Sequence, residues 1–589
     1  MGFHFDQIAL LAVLAAIIVC LVKSWVRPST TFMGGAVLLL FVGILEPAQL
    51  LAGLANKQIA IIVLLVLISA GLRKHFDIRR IFDKLFSVAK TTRAFLAMMM
   101  GTASIFSAFI NNTPMVAIMT PYVYDWGKRK GVAPSKLLIP LSFATMLGGM
   151  ITVVGTSTNL VMNGFLAENQ EPLLNYTDFL YLGLLVTVIG ILFILFIGIK
   201  LLPANEDKVE LFKAHSREYV VEAKVGAESV LNGKTVKDAS LRKLEGLFLA
   251  DIIRGNRVIS PVGPNEKLLA DDKLIFAGDT DKVVDLLNEN LGLLLPKPNG
   301  TFVDNKIRVI EAVIPANSSL SGEKVKGSDF RNRYDAAILA IHRNGERIRG
   351  KIGDVRLQTG DLLLLTIGDN FYERQQISRD LFAVSEVKQV ENLHPMRTRV
   401  FLGILLAAVT LVIFGVVELF IALMVIFGAM IGLKLFYAAD LKRDLDFDLI
   451  AILVCALAIG NALISTGTAE LITHGFLDLL RPMGMIGLLI GLFLLTALLT
   501  SFVTNAAAVS ICFPIAYALS QELGVPGTPF YITIAFAASA AFMTPVGYQT
   551  NLMVYGPGGY TFKDYFKVGL PLTLLYAAVC ISFIILRYT

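Results

Sequence analysis

The chain has 589 residues, 55% hydrophobic and 17% charged, with a net charge of +6 and a mean hydropathy of +0.68. This composition excludes a disordered chain, a coiled coil and a purely soluble enzyme. Apolar runs of about 18 residues or more recur along it, each long enough to cross a bilayer as a helix, so the expected class is a polytopic α-helical membrane protein.

In chain order, apolar spans are predicted at 8–26, 32–54, 59–72, 137–162 and 179–202, then at 400–416, 418–435, 449–464, 530–554 and 568–586. The first has no preceding basic region and no A-x-A site, which fits a first helix rather than a cleaved signal. Between the two sets, residues 204–393 hold 57 of the 98 charged residues, 28 basic and 29 acidic, and read as a soluble insert. The positive balance resides in the membrane parts, where basic loops set orientation, so it does not point to nucleic acid. Cys20, Cys455, Cys512 and Cys580 lie in apolar runs without metal spacing and read as packing residues.

The loop with Arg73, Lys74, Arg79, Arg80, Lys84 and Lys90 and the connection with Lys128, Arg129, Lys130 and Lys136 are expected inside. The loop with Glu168, Glu171 and Asp178 is expected outside. Counting onward makes the insert cytoplasmic, puts Lys442, Arg443, Lys563 and Lys567 inside, and leaves the N-terminus outside. The expected setting is membrane lipid, in the plasma or inner membrane of a prokaryote.

Two stretches break the count. Residues 91–126 leave and return on one side, and the return arm 114–126 is roughly 20 Å of helix, short of a hydrocarbon core of about 30 Å. A re-entrant hairpin is expected there, and a second at 485–520 from the opposite side. The hairpins repeat in sequence: F-I-N-N-T-P-M-V-A-I-M-T-P from Phe109 matches F-V-T-N-A-A-A-V-S-I-C-F-P from Phe502. The offset of 393 sets Asn112 on Asn505, Pro121 on Pro514 and Gly131-Val132 on Gly524-Val525; after one gap, G-T-S-T-N-L at Gly155 meets G-Y-Q-T-N-L at Gly547. Repeats of opposed topology are the mark of secondary transporters with a midplane site.

Hairpin tips leave backbone groups without helical partners, which hydrocarbon cannot satisfy. Amides at the start of a return arm favour an anion. Carbonyls ending the entering arm, with Asn and Ser/Thr oxygens, suit Na⁺. Ser107 and Thr500 stand one turn before the tips, and Gly155 and Gly547 permit the helix breaks that complete each cation site. No span carries a central carboxylate, no Walker A motif is present, and no catalytic triad suggests an enzyme.

The paired Asn-centred tips followed by T-N after a broken helix resemble the divalent anion/sodium symporter family, solute carrier family 13. The resemblance covers both membrane halves and implies an elevator-type homodimer that couples a small anionic substrate to sodium ions. It implies Na⁺ sites near Ser107, Asn111, Asn112 and Gly155, and near Thr500, Thr504, Asn505 and Gly547. The family's Ser-Asn-Thr tips are here Asn111-Asn112-Thr113 and Thr504-Asn505-Ala506. Its Thr-Pro-Pro-Asn is here Thr156-Ser157-Thr158-Asn159 and Tyr548-Gln549-Thr550-Asn551, and these are the implied substrate-facing positions. With Ala506 in place of the second Thr, sulfate is expected before a dicarboxylate.

The insert is itself a repeat at a spacing of 89. Val220-Val221-Glu222-Ala223 recurs as Val309-Ile310-Glu311-Ala312, Arg242 as Arg331, Arg254 as Arg343 and Asp272 as Asp361. Each unit resembles the TrkA C-terminal domain of potassium-conductance regulators, which implies paired α/β lobes and a nucleotide or ion effector at their interface. Four regions follow: membrane half 1–203, insert units 204–298 and 299–393, and membrane half 394–589. The expected function is sodium-coupled anion symport, with a TrkA-C-regulated cation/proton antiporter as the competing class.

Overall fold

The computed structural model describes residues 5–75 apart from 24, then 82, 85, 86 and 89, 91–205 apart from 110 and 111, 220–278 apart from 240, 242–246 and 256, 293–294, most of 309–383, and 395–588 apart from 437–444 and 446. Asn111, Arg242 and the loop bases Arg79, Arg80, Lys84, Lys90, Lys442 and Arg443 lie outside the described residues.

The first membrane half is α1 (Phe5–Lys23), α2 (Pro28–Val42), α3 (Pro47–Leu54), α4 (Lys57–His75), α5 (Thr92–Ser107), α6 (Asn112–Arg129), α7 (Leu138–Gly149), α8 (Ser157–Glu168) and α9 (Tyr176–Phe193). The second is α11 (Pro395–Ile413), α12 (Leu419–Gly432), α13 (Phe447–Ser465), α14 (Thr468–Leu480), α15 (Gly484–Thr500), α16 (Asn505–Leu523), α17 (Thr528–Ala538), α18 (Gln549–Tyr555) and α19 (Phe562–Tyr588). Four described helices are long and apolar enough to cross a membrane, or five if Pro47–Leu54 and Lys57–Ser69, bent by 40°, form one span.

The span expected at 32–54 is divided. Pro28 opens α2, Gly43 ends it in the left-handed region at φ +82°, and Pro47 starts α3. The run 137–162 is broken between α7 and α8, and 530–554 between α17 and α18, on either side of Gly155 and Gly547. The first return arm is longer than the 13 residues read from the sequence: it starts at Asn112 and runs 18 residues, about 27 Å, and its counterpart from Asn505 runs 19, about 29 Å, each with a proline, Pro121 or Pro514, inside. The second is itself one of the helices long and apolar enough to cross a membrane, so shortness of the arm does not argue for re-entrance. Helix α14 went unseen because it is amphipathic, with Glu470, His474 and Asp478 interrupting its apolar run.

The two halves pack alike. α5 lies along α7 and α15 along α17, while α9 covers α7 and α19 covers α17. Gly183 of α9 meets the Met150–Ile151 backbone, where a Cβ would stand 2.3 Å from the Met150 oxygen; Gly569 of α19 meets Phe542–Met543 with a Cβ 2.1 Å from the Phe542 oxygen. Both covering helices open on an aspartate that accepts the N-cap amide, Asp178 from Asn175 and Asp564 from Thr561, each at 2.8 Å. The repeat therefore reaches further than its sequence match.

The insert holds two five-stranded antiparallel sheets. The first contains β1 (Val220–Val225), β2 (Leu247–Arg254), β3 (Arg257–Ile259), β4 (Lys273–Gly278) and β5 (Leu293–Leu294) in the order β3-β2-β4-β1-β5. The second contains β6 (Val309–Val313), β7 (Ala336–Arg343), β8 (Glu346–Arg347), β9 (Leu362–Ile367) and β10 (Phe382–Ala383) in the order β10-β6-β9-β7-β8, with the short helix α10 (Phe330–Tyr334) before β7. Read from the other edge the two orders are the same. Both sheets carry a register shift at equivalent places, Leu249/Asp251 and Ile338/Ala340. The spacing of 89 is thus a repeat of fold.

Candidate substrate and cation site

Each hairpin tip is a helix end facing a helix start, and in each a hydroxyl one turn before the tip bonds the tip asparagine. In the first half Ser107 Oγ donates to Asn112 Oδ1. In the second, Thr500 Oγ1 lies 3.0 Å from Asn505 Oδ1 and 2.6 Å from the Ala538 carbonyl. The broken helices are pinned to the tips by a threonine, half-buried in the first half and buried in the second. Thr152 Oγ1 donates to the Ala108 carbonyl and accepts from the Gly155 amide at 3.1 Å; Thr544 Oγ1 donates to Ser501 at 2.5 Å and accepts from Gly547 at 3.1 Å. Asn159 Nδ2 donates to the Thr152 carbonyl at 2.9 Å, and Asn551 Nδ2 to Thr544 at 3.1 Å. The sequence reading passed over Thr152 and Thr544, although T-x-x-G stands at both breaks.

The glycines are there for close approach. A Cβ on Gly155 would lie 2.9 Å from the Ser107 carbonyl oxygen, and one on Gly547 2.7 Å from that of Thr500. The last carbonyls of α5 and α15 therefore point at the break of their own half. Gly149 cradles the Asn112 carboxamide, whose Oδ1 would stand 2.6 Å from an added Cβ. Each tip gathers carbonyl, amide and hydroxyl oxygens. Among the described residues no group of three His, Cys, Asp or Glu side chains gathers anywhere. Neutral oxygens at a helix end match a monovalent hard cation.

The expected cation-site residues of each half come together in that half: Ser107, Asn112 and Gly155 in one, Thr500, Asn505 and Gly547 in the other. Thr504 caps α16, accepting from the Ala507 amide at 3.3 Å, so its hydroxyl is engaged in starting the return arm.

The expected substrate-facing residues cross between halves. α6 packs against α18, and α16 against α8. Asn112 Nδ2 donates to Tyr548 Oη at 2.8 Å, and Thr113 Oγ1 donates to Gln549 Oε1 at 3.2 Å. Gln549 is exposed and Thr113 half-buried, so this closed junction lies at the surface of the protein. Ser142 of α7 reaches Thr550 Oγ1 at 2.9 Å and Asn551 Oδ1 at 2.7 Å. In the first half, Thr156 and Thr158 share a hydroxyl contact at 3.3 Å, Ser157 is half-buried, and Asn159 Oδ1 is buried with no hydrogen-bond partner among the described residues. Ala506 is buried and adds no polar group. The halves are therefore unequal: the tip amide of Asn112 is bound by a phenol from the opposite half, and Thr156, the counterpart of Tyr548, carries only a short hydroxyl.

In the insert, Arg254 and Arg343 are structural. Arg254 grips the buried Asp272 through Nε and Nη2, both at 2.8 Å, and Arg343 grips the buried Asp361 at 2.7 and 2.8 Å. The two units pair within the chain: Arg331 donates to the Val262 and Leu249 carbonyls, and Thr366 Oγ1 lies 3.2 Å from Asp251 Oδ1. Burial pushes the Asp251 carboxyl up to about 6, against the opposing pull of Ser260, Thr366 and Arg331.

A family model described as citrate transporter matches residues 16–511 and 424–589, which together take in nearly all of the sequence. The chain belongs to the citrate transporter family. An uncharacterized transporter of Synechocystis sp. is 32% identical over 96% of this chain and 94% of that protein. Sodium/sulfate cotransporter 1 of Chlamydomonas reinhardtii is 23% identical over 94% of this chain and 86% of its own length, and sodium/sulfate cotransporter 2 of the same organism 22% over 97% and 88%. Family membership and the apolar helices make the chain a membrane transporter of this type.

Proposed function

We propose that this transporter is a sodium-coupled symporter of a divalent anion, sulfate before a dicarboxylate. The observation that carries the reading is the mirrored pair of tips, Ser107–Asn112 with Gly155 and Thr500–Asn505 with Gly547, each an oxygen cage at the end of one helix and the start of another. Sodium would sit in those two cages, with Thr504 at the rim of the second. The anion would sit among the helix starts, where amide dipoles favour negative charge, in contact with Thr113, Asn505 and Gln549. The relatives named sodium/sulfate cotransporters support the choice of ion and anion. A carboxylate substrate is favoured over sulfate by one observation, the citrate description of the family model, although citrate carries three carboxyls rather than two.

In the same reading the transporter is an elevator-type homodimer in a prokaryotic plasma or inner membrane, with the N-terminus outside. The region 204–393 is a cytoplasmic pair of TrkA-C-like units taking a nucleotide or ion effector. Uptake of radiolabelled sulfate and of succinate into proteoliposomes, with and without an inward Na⁺ gradient, tests the proposal. Gradient-dependent sulfate uptake is the expected result. Uptake indifferent to Na⁺ would overturn the coupling, and succinate preferred over sulfate would overturn the choice of anion.

A further inference from the structure

The two insert units share a fold but differ on one face of the sheet. In the first unit, Ala223, Val225 and Leu274 point into the unit's own core, while Glu222, Lys224 and Lys273 project from the opposite face. That face is solvated: the Lys224 and Lys273 side chains are 47% and 46% exposed, and Lys273 reaches Glu222 at 3.6 Å. In the second unit, 89 residues on, the same three positions are Glu311, Val313 and Leu362, and each is 1% exposed. Val313 and Leu362 belong to the apolar cluster of the membrane helices, separate from the core of their own unit.

What covers this face comes from two helices. Gly556, just after α18, abuts it so closely that a Cβ there would stand 3.1 Å from Leu362 Cβ and 3.3 Å from Val313 Cγ2. The turn glycine Gly360 rests on Leu552 and Tyr555 of α18. From α6, the buried Tyr124 hydroxyl donates to Glu311 Oε2 at 3.0 Å. α6 and α18 belong to opposite halves, and their starts are the two that meet at the site through Asn112–Tyr548 and Thr113–Gln549. The sheet thus bridges the far ends of the same two helices whose near ends close the site.

We infer that the second insert unit is a staple across the two halves, its Glu311–Val313–Leu362 face holding α6 and α18 together so that the junction at Thr113 and Gln549 stays closed. The first unit, with lysines on that face, hangs from the second and shows no such contact among the described residues. Any event in the insert that loosens this face then opens the site, and by linkage closure of the site favours the docked insert. The inference rests on the reading of the Asn112–Tyr548 junction as the site, and it is independent of which anion is carried.

The test needs no substrate. In full-length protein carrying Cys20→Ser, Thr113→Cys and Gln549→Cys, a short bis-methanethiosulfonate, which joins two thiols as mixed disulfides and releases sulfinate, measures how often the junction is closed; the remaining cysteines 455, 512 and 580 are buried. Val313→Lys with Leu362→Lys installs the residues that the first unit tolerates in the same fold. It should lower the bridging rate at least fivefold, and hydrogen exchange should show strands 309–313 and 362–367 newly accessible. A bridging rate within twofold of the parent, with those strands accessible, would show a passive contact and overturn the staple. Strands that stay protected in the variant would overturn the docking face itself. Tyr124→Phe, which removes one hydroxyl and adds no charge, should lower bridging two- to threefold, so an unchanged rate there also counts against the inference.

Discussion

Gly155→Ala and Gly547→Ala put the paired-cage geometry to its sharpest test. Neither glycine has a positive φ, so alanine is refused by crowding and not by backbone strain. The new Cβ at 155 would lie 2.4 Å from the Gly149 oxygen and 2.9 Å from that of Ser107; at 547 it would lie 2.7 Å from the Thr500 oxygen and 3.0 Å from Thr544 Oγ1. A comfortable carbon–oxygen contact begins at about 3.3 Å. The backbones must therefore part by about 0.9 Å at the first break and about 0.6 Å at the second. Because the obstructing atoms are mostly main-chain carbonyls, the cost sits toward the upper end of the ~1–3 kcal/mol of overpacking. Among the carbonyls displaced are those of Ser107 and Thr500, proposed to face the cation, which must move by about 0.4 and 0.6 Å, and a misplacement near 1 Å can cost about 100-fold in rate. Na⁺-driven uptake in proteoliposomes should fall by about that factor in each variant, with the apparent Na⁺ affinity weakened. Gly428→Ala in α12, where nothing stands within 4 Å of the added carbon, is the control and should transport normally. Wild-type Na⁺ dependence in folded Gly155→Ala protein would refute the cage.

Asn112→Ala and Asn505→Ala should each abolish Na⁺-driven uptake in monodisperse protein; retention of wild-type coupling by either one would sink the two-cage model. Tyr548→Phe removes only the hydroxyl that accepts from Asn112, a loss of about 0.5–1.5 kcal/mol, so substrate affinity by isothermal titration should weaken about two- to tenfold, and an unchanged affinity would remove Tyr548 from the site. Ala506→Thr restores a hydroxyl to the second tip and should shift competition toward succinate; a wild type that already binds succinate as tightly as sulfate would contradict this. Burial raises the Asp251 carboxyl from 3.8 to about 6, so the native insert holds its proton more tightly than the unfolded chain. Its contribution is full below about pH 4 and is lost as pH rises through about 6, an effect of up to ~3 kcal/mol. Thermal unfolding of the insert should show that decline, and Asp251→Asn should flatten it; an equal slope in both proteins would assign the pH dependence elsewhere.

The sequence by itself determined the membrane class, the two asparagine tips, the breaks at Gly155 and Gly547 and the tandem insert. These are local features carried twice. A helix start, a close backbone approach or a strand alternation is written in neighbouring residues, and a duplicated pattern at a fixed offset repeats that local structure, as the matched bonds of Thr152 and Thr544 illustrate. Helix ends were less legible. The apolar run at 32–54 hid the break between α2 and α3, and the first return arm gained its start from the polar tip residues Asn112 and Thr113. The tertiary structure alone decided what meets what. Asn112 and Tyr548 are 436 residues apart, and no periodicity relates them; they meet because each return arm packs on the broken helix of the other half. The role of the second insert unit was likewise invisible. Val313 and Leu362 read as ordinary strand residues until the membrane helices are seen to cover them, at the positions where the first unit exposes Lys224 and Lys273 to water. Burial of a sheet face is a property of its partner, and the partner here is brought in from both ends of the chain.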